Sequence, residues 1–301
     1  MKMNDGIDIL HSKLKENKIV KVAGAFDALS AKLVELSKFD AVWAGSFAIS
    51  ATHALPDASI LTMTEFLSVA SNMADACSIP IIADCDTGFG GPSNVSRMVK
   101  KYESAGIAAI SIEDKIFPKQ NSLLENGKQE LLPEKDFVAK IIAAKNSKIN
   151  ENFMIIARVE ALIAGLGINE AKKRADAYEK AGADAILIHS KKNTPDEIFE
   201  FCDTWKGNIP IIAIPTSYPT VTLEELQKHK IKMVIYANQS LRAAHWAMRD
   251  HLNKLSTAKS LSDVETKMTS MEEIFHLQEM YEIKKQEVDI EEHLKKLGYI
   301  N

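Results

Sequence analysis

Eight short apolar runs rich in β-branched residues, each followed by a stretch with helical spacing, leave this chain few folds to choose from. They read KIVKVAGA from Lys18, AVWAGSFAI from Ala41, IPIIADCD from Ile79, AAISIED from Ala108, FMIIARVEA from Phe153, AILIHS from Ala185, IPIIAIPT from Ile209 and MVIYAN from Met233. Strands that are apolar on both faces and separated by helices imply a parallel sheet covered on its outside, and eight such units are what a closed barrel needs. An open doubly wound sheet shows a similar alternation. No glycine-rich dinucleotide turn follows the first run, which favours the barrel. The expected fold is therefore α/β, a (β/α)8 TIM barrel.

An internal echo points the same way. ESAGIAAISIED from Glu103 and EKAGADAILIHS from Glu179 each combine a helix end, an Ala-Gly cap and a buried strand, with Gly106 and Gly182 as the left-handed cap residues. Helices are expected over residues 93–105 and 169–181. Beyond Asn238 the pattern becomes wholly helical. TSMEEIFHLQEMY offers a Ser270–Glu273 capping box and a stripe of Met271, Ile274, Phe275 and Tyr281. Either the barrel itself or a neighbouring subunit receives that stripe, and its length and terminal place favour a helix-swapped neighbour. Without a linker or a change of composition, residues 1–301 read as a single barrel domain with a C-terminal helical extension over 256–301.

Charge excludes some partners. The chain carries 37 basic and 41 acidic residues for a net charge of -4, which gives no reason to expect nucleic acid or an anionic membrane. No window reaches the ~18 apolar residues of a spanning helix, and the first residues lack an apolar leader, so a soluble cytoplasmic protein is expected. Cys77, Cys85 and Cys202 have no metal-ligand spacing and are expected to be reduced thiols.

In a barrel of this kind the active site lies where the strands end. Asp84 and Asp86 end the third run, Glu113 and Asp114 the fourth, Arg158 and Glu160 lie in the fifth, and His189 with Ser190 ends the sixth; Asp57 follows the second. Residues two apart on a strand share a face, so Asp84 and Asp86 point together while Cys85 turns away. Taken singly, each acid reads equally well as a helix cap. Acids ending adjacent strands repel one another unless a cation lies between them, and oxygen ligands suit a hard divalent ion, magnesium above all. Arg158 is embedded in FMIIARVEALIAG, where an unpaired charge is costly; it serves either a carboxylate or phosphate ligand or an ion pair with Glu160. His189 reads as a ligand contact or as a satisfied core histidine.

EDKIFPKQNS, residues 113–122, leaves the barrel at Asp114 and opens a long segment before the next helix near Glu134. Loops of that length inside compact domains are often lids. Lys119, Gln120, Asn121 and Ser122 bring cationic and hydrogen-bonding groups, while Phe117, Pro118, Leu123 and Leu124 supply apolar anchors that a merely solvated segment lacks.

EDK, five residues, NS resembles the signature of the phosphoenolpyruvate mutase and isocitrate lyase superfamily. The likeness continues through DCDTGFG, ARVEALIAGLG, AGADAILIHSKK, VIYANQSLRAA and MEEIFHLQ, from about Gly24 to Tyr281. The resemblance implies a magnesium ion and the conversion of phosphoenolpyruvate to phosphonopyruvate. It further implies that Asp84 holds the metal directly, with Asp86 and Glu113 acting through water. Arg158 and His189 then hold the substrate, Trp43, Gly45 and Ser46 its carboxylate, and Asp57 lies beside the migrating phosphoryl group. Lys119, Asn121 and Ser122 come from a gating loop, and the assembly is a homotetramer, a dimer of dimers.

Two departures qualify the resemblance. VWAGSFAIS differs from the Trp-Gly-Ser-Gly of mutases, which shifts the carboxylate-binding backbone near Ser46. The Lys-Lys-Cys-Gly-His motif of isocitrate lyases is absent. The rival within the superfamily is phosphonopyruvate hydrolysis. Its branch carries threonine where this chain has Asn121, whereas HALPDASILTM and TPDEI resemble the hydrolases at least as well.

Overall fold

A computed structural model describes residues 5–265 and 268–300. The eight apolar runs become β1 (Val20–Ala25), β2 (Ala41–Ala44), β3 (Ile81–Asp84), β4 (Ala109–Glu113), β5 (Met154–Val159), β6 (Ala185–Ile188), β7 (Ile211–Ala213) and β8 (Ile231–Tyr236). Every neighbouring pair is parallel, and β8 closes on β1 through Val20 opposite Met233, so the sheet is a complete barrel in sequence order. β3, β4, β5 and β6 are buried along their whole length. Runs buried on both faces therefore stay continuously apolar instead of alternating with polar residues.

The helices begin and end for local reasons. Pro92–Ser104 starts on a proline in its first turn, where the missing N–H costs nothing. Gly167–Ala181 ends on Gly182 at φ 102°, and Gly106 stands at φ 79° beyond the preceding helix end, as the repeated Ala-Gly predicts. An additional helix, Asp5–Lys15, precedes β1 and buries Ile7 and Leu10. A long loop leads to Glu134–Lys145, which carries Glu134 and Asp136 in its first turn.

The chain divides into two compact units, residues 1–243 with the barrel and residues 244–301, whose described residues form helices and short connections. In the second unit the expected stripe is interrupted. Ser270 caps Met271–Leu277 by accepting from Glu273 N at 3.2 Å, but Glu279 then takes φ 55° and a new helix, Met280–Lys296, begins. Tyr281 therefore belongs to a different helix from Met271, Ile274 and Phe275, and its hydroxyl donates to Glu272 at 2.8 Å.

Gly182→Ala tests the cap. A β-carbon there meets Lys145 Cγ at 3.1 Å in a backbone region L-residues avoid, so the barrel is expected to lose about 1 kcal/mol in denaturant unfolding.

Candidate active site

The strand ends meet at a cavity of about 490 Å³. Trp43 lies in β2, Gly45 follows it, and Ser46 opens the next short helix. Gly45 admits no side chain, because a β-carbon there would stand 2.9 Å from the Trp43 ring. Asp84 ends β3, Arg158 lies in β5 and His189 follows β6. These residues line the cavity together with Asp57 and the loop residues Lys119, Asn121 and Ser122. Asp86 and Glu113 do not line it; they reach the site through Lys119 and Arg158 respectively.

The loop brings polar side chains to the cavity wall. Lys119 is 4% exposed, and its ammonium lies 2.6 Å from Asp86 Oδ1, 3.1 Å from Asp57 Oδ1 and 3.0 Å from Ser46 Oγ. Asn121 Nδ2 donates to Asp57 Oδ2 at 2.8 Å. Ser46 Oγ donates to Asp84 Oδ2 at 2.9 Å, which ties β2 to β3 beneath the lysine. Asp86 joins Asp84 by a turn, not by the pleat of a strand. It takes φ 49°, a conformation aspartate tolerates better than most residues, and its N–H donates to Asp84 Oδ1 at 3.3 Å.

A second charged layer surrounds Arg158. Its Nε donates to Glu160 Oε1 at 2.6 Å and lies 3.3 Å from Glu113 Oε2, while Nη2 donates to Ser122 Oγ at 3.1 Å. His189 Nδ1 stands 2.9 Å from both Arg158 Nη2 and Glu160 Oε1. Arg158 is ion-paired to Glu160, as one of its two readings expects, and it also lines the cavity.

Burial disfavours every one of these charges, and the neighbours decide which survive. Burial opposes the Lys119 ammonium, but Asp86, Glu113, Asp57 and Asp84 outweigh it and push its pKa well up. Burial likewise opposes the Asp57 carboxylate, yet Lys119 and Asn121 hold it below its usual range. Asp86 goes the other way. Burial raises it, Lys119 offsets only part of that, and the fields of Asp84, Asp57 and Glu113 add to the rise, to about 6. For Glu160 the neighbours win over burial: the Arg158 and Lys115 charges and the His189 hydrogen bond keep it well below the ordinary carboxylate range. His189 is lowered, first by burial, and stays neutral near pH 7.

The donor set fits a hard cation that keeps its water. Both Glu113 carboxylate oxygens are buried without a hydrogen bond among the described residues, although Oε2 lies 3.3 Å from Arg158 Nε. Yet no three acidic, histidine or cysteine side chains among those residues form a direct metal cage. One direct carboxylate with others reaching through water is the habit of magnesium.

Sequence reasoning passed over several members. Lys115, 2% exposed, donates to Gln120 O at 2.9 Å and Ser122 Oγ at 2.6 Å and pairs with Glu160 at 3.2 Å. Its place two residues after Glu113, on the same alternating face, was the available signal. Ser59 Oγ accepts from Lys119 N at 3.2 Å, fixing the loop to the turn after β2. Thr216 and Asn238 line the cavity from beyond β7 and β8, where the strand-end rule also applies.

A model of the family described as phosphoenolpyruvate phosphomutase matches residues 10–256. The chain belongs to the phosphoenolpyruvate phosphomutase family. It is 44% identical over 89% of its length to phosphonopyruvate hydrolase of Variovorax sp., covering 93% of that protein. To phosphoenolpyruvate phosphomutase of Tetrahymena pyriformis it is 43% identical over 91% of its length, covering 92% of the relative. A crystal structure of phosphonopyruvate hydrolase complexed with oxalate and Mg++ superposes with a TM-score of 0.89 at 40% identity, over 94% of this chain and 98% of that one. The chain is thus an enzyme of the phosphoenolpyruvate mutase and isocitrate lyase superfamily, and the family's two phosphonopyruvate chemistries stand at nearly equal distance from it.

A divalent ion entering this site competes with a proton at Asp86. Calorimetric titration with Mg2+ is expected to lose affinity by up to about tenfold per pH unit below pH 6 and to release a proton on binding. Asp86→Asn should abolish that release, whereas proton-free binding by the unaltered protein at pH 5.5 contradicts the assignment.

Proposed function

We propose that the enzyme interconverts phosphoenolpyruvate and phosphonopyruvate by phosphoryl transfer within one bound substrate. The observation that carries this reading is the Asn121–Asp57 hydrogen bond of 2.8 Å, which sets the amide of the loop against a carboxylate on the cavity wall. An amide there gives the loop a donor that a threonine, shorter by an atom, does not bring to the same place.

In this reading Asp84 would hold magnesium directly, with Asp86 and Glu113 acting through water. The ion supplies positive charge for the oxygens of the substrate and its enolate. The chain's own groups do the rest. Trp43, Gly45 and Ser46 receive the carboxylate, and Arg158 with neutral His189 positions the phosphoryl oxygens. Phosphoenolpyruvate carries roughly three negative charges, and Arg158 and Lys119 offset much of that charge in a site closed to water. As the bridging P–O bond breaks, its electron pair passes to the pyruvate enolate, and C3 then forms the P–C bond. Asp57, kept ionised by Lys119 and Asn121, lies beside the moving group and steers it. Water must stay out, because capture of the phosphoryl group by water gives phosphate and pyruvate.

Hydrolysis is the second reading, favoured by the Variovorax relative at 44% identity. Product analysis separates the two. With Mg2+ and phosphonopyruvate the protein is expected to form phosphoenolpyruvate, and chelation should stop turnover. Asn121→Thr should raise phosphate release relative to isomerisation by about tenfold, the scale of one lost hydrogen bond. Phosphate and pyruvate as sole products of the unaltered enzyme would overturn the mutase reading.

We also propose a cytoplasmic homotetramer, a dimer of dimers built through the helices of residues 244–301. Met280, Ile283, Val288 and Ile290 are exposed there, an apolar surface that a neighbouring subunit would cover. Sedimentation equilibrium should give close to four times the 33.3 kDa chain mass, and truncation after Leu255 should lower it.

A further inference from the structure

The loop has two stems, and one helix holds both of them. Lys115 bridges to Leu131 in antiparallel fashion, and Ile116 N donates to Glu130 O at 3.0 Å. At the base, Leu132 N donates to Asp114 O at 2.9 Å. Residues 114–116 and 130–132 therefore form a short ribbon from which the catalytic part of the loop projects.

Beneath this ribbon, Glu170, Arg174 and Tyr178 lie on one face of the helix Gly167–Ala181, four residues apart. Arg174 Nη1 donates to the Asp114 carboxylate at 3.0 Å on the first stem and to Leu132 O at 3.1 Å on the second. Tyr178 OH donates to the same Asp114 oxygen at 2.7 Å. The other oxygen accepts from Glu160 N at 2.9 Å, so this carboxylate also anchors the residue that pairs with Arg158. Glu170 holds Arg174 Nε at 2.8 Å, and the Tyr178 ring packs on Phe137, in the helix that follows the loop, with centroids 4.6 Å apart. Asp114 is 0% exposed, and no group of this cluster lines the cavity.

We propose that Arg174 and Tyr178 are positioning residues that clamp both stems of the loop to one helix and so set how completely the loop shuts water out of the phosphoryl-transfer site. The functional half of this inference rests on the mutase reading above. The reasoning is mechanical. A loop tethered at one stem can pivot, whereas a loop gripped at both stems by a single guanidinium can flex only between them, and Lys119 and Asn121 are carried on that intervening part. A buried carboxylate that loses a donor leaves an unsatisfied charge, so the first stem should loosen before the barrel does.

Tyr178→Phe removes only the hydroxyl and keeps the ring on Phe137. Glu170→Gln, at the more exposed end, loosens Arg174 without unbalancing the buried pair. In both variants, hydrogen exchange of the amides in residues 115–132 is expected to accelerate, by about tenfold for Tyr178→Phe and about threefold for Glu170→Gln, while amides in β1 to β3 and the unfolding midpoint stay nearly unchanged. With phosphonopyruvate, kcat for isomerisation should fall by about the same factors, KM should move less than about threefold, and the phosphate share of product should rise. Unchanged loop exchange in folded Tyr178→Phe overturns the clamp. Faster loop exchange with an unchanged product ratio overturns its role in excluding water. The exchange readout needs no turnover, so an unaltered enzyme making only phosphate and pyruvate would refute the mutase reading while leaving the clamp to be judged on exchange alone.

Discussion

Everything at the mouth of this barrel depends on placing one buried ammonium among carboxylates that repel one another. Asp57 and Asp86 touch Lys119, and Asp84 and Glu113 act on it through their fields. Removing these acids from water is unfavourable, and their mutual repulsion increases that penalty. A cation is the way to keep them ionised together, and the fold offers one on a loop instead of on a strand. Because Lys119 is carried on the loop, the loop's position on the barrel and the neutralisation of these acids depend on each other.

Arg158 works differently. It is built into β5, paired with Glu160 and bordered by Glu113, so its guanidinium is held by partners on the barrel strands as well as by Ser122 on the loop. The site thus has one cation on a barrel strand and one on the loop. Glu160 joins the two parts, because it accepts from Arg158 and Ser122 and pairs with Lys115 at the first stem of the loop.

Much of this was readable from residue order because a parallel barrel gathers all strand ends at one face. Asp84, Glu113, Arg158 and His189 are scattered over a hundred residues, yet each ends or lies near the end of an apolar run, and the geometry follows. Asp86 was legible as a member but not as a shape, since its left-handed backbone is a choice the turn makes after β3. Lys115 escaped notice because a lysine at a loop's start reads as solvated until its loop folds over it. The pairing of residues 114–116 with 130–132 was hidden for a related reason: the contact is nonlocal and lies within a segment without strand periodicity. The break before Met280 carries neither glycine nor proline, so the terminal stripe read as one helix where there are two. Choosing between the two phosphonopyruvate chemistries rests on one side chain, Asn121, whose partner Asp57 lies 64 residues away in sequence.

In the proposed mutase reaction the phosphoryl group never meets water. Phosphorus NMR of the enzyme with Mg2+ and phosphonopyruvate in water enriched in 18O tests it most directly, because solvent oxygen bound to phosphorus shifts the resonance. The expected result is a phosphoenolpyruvate signal whose three non-bridging oxygens carry no solvent label, any label at the bridging oxygen coming from exchange at the C2 carbonyl. Labelled inorganic phosphate appearing from the start, with no phosphoenolpyruvate resonance, would contradict it.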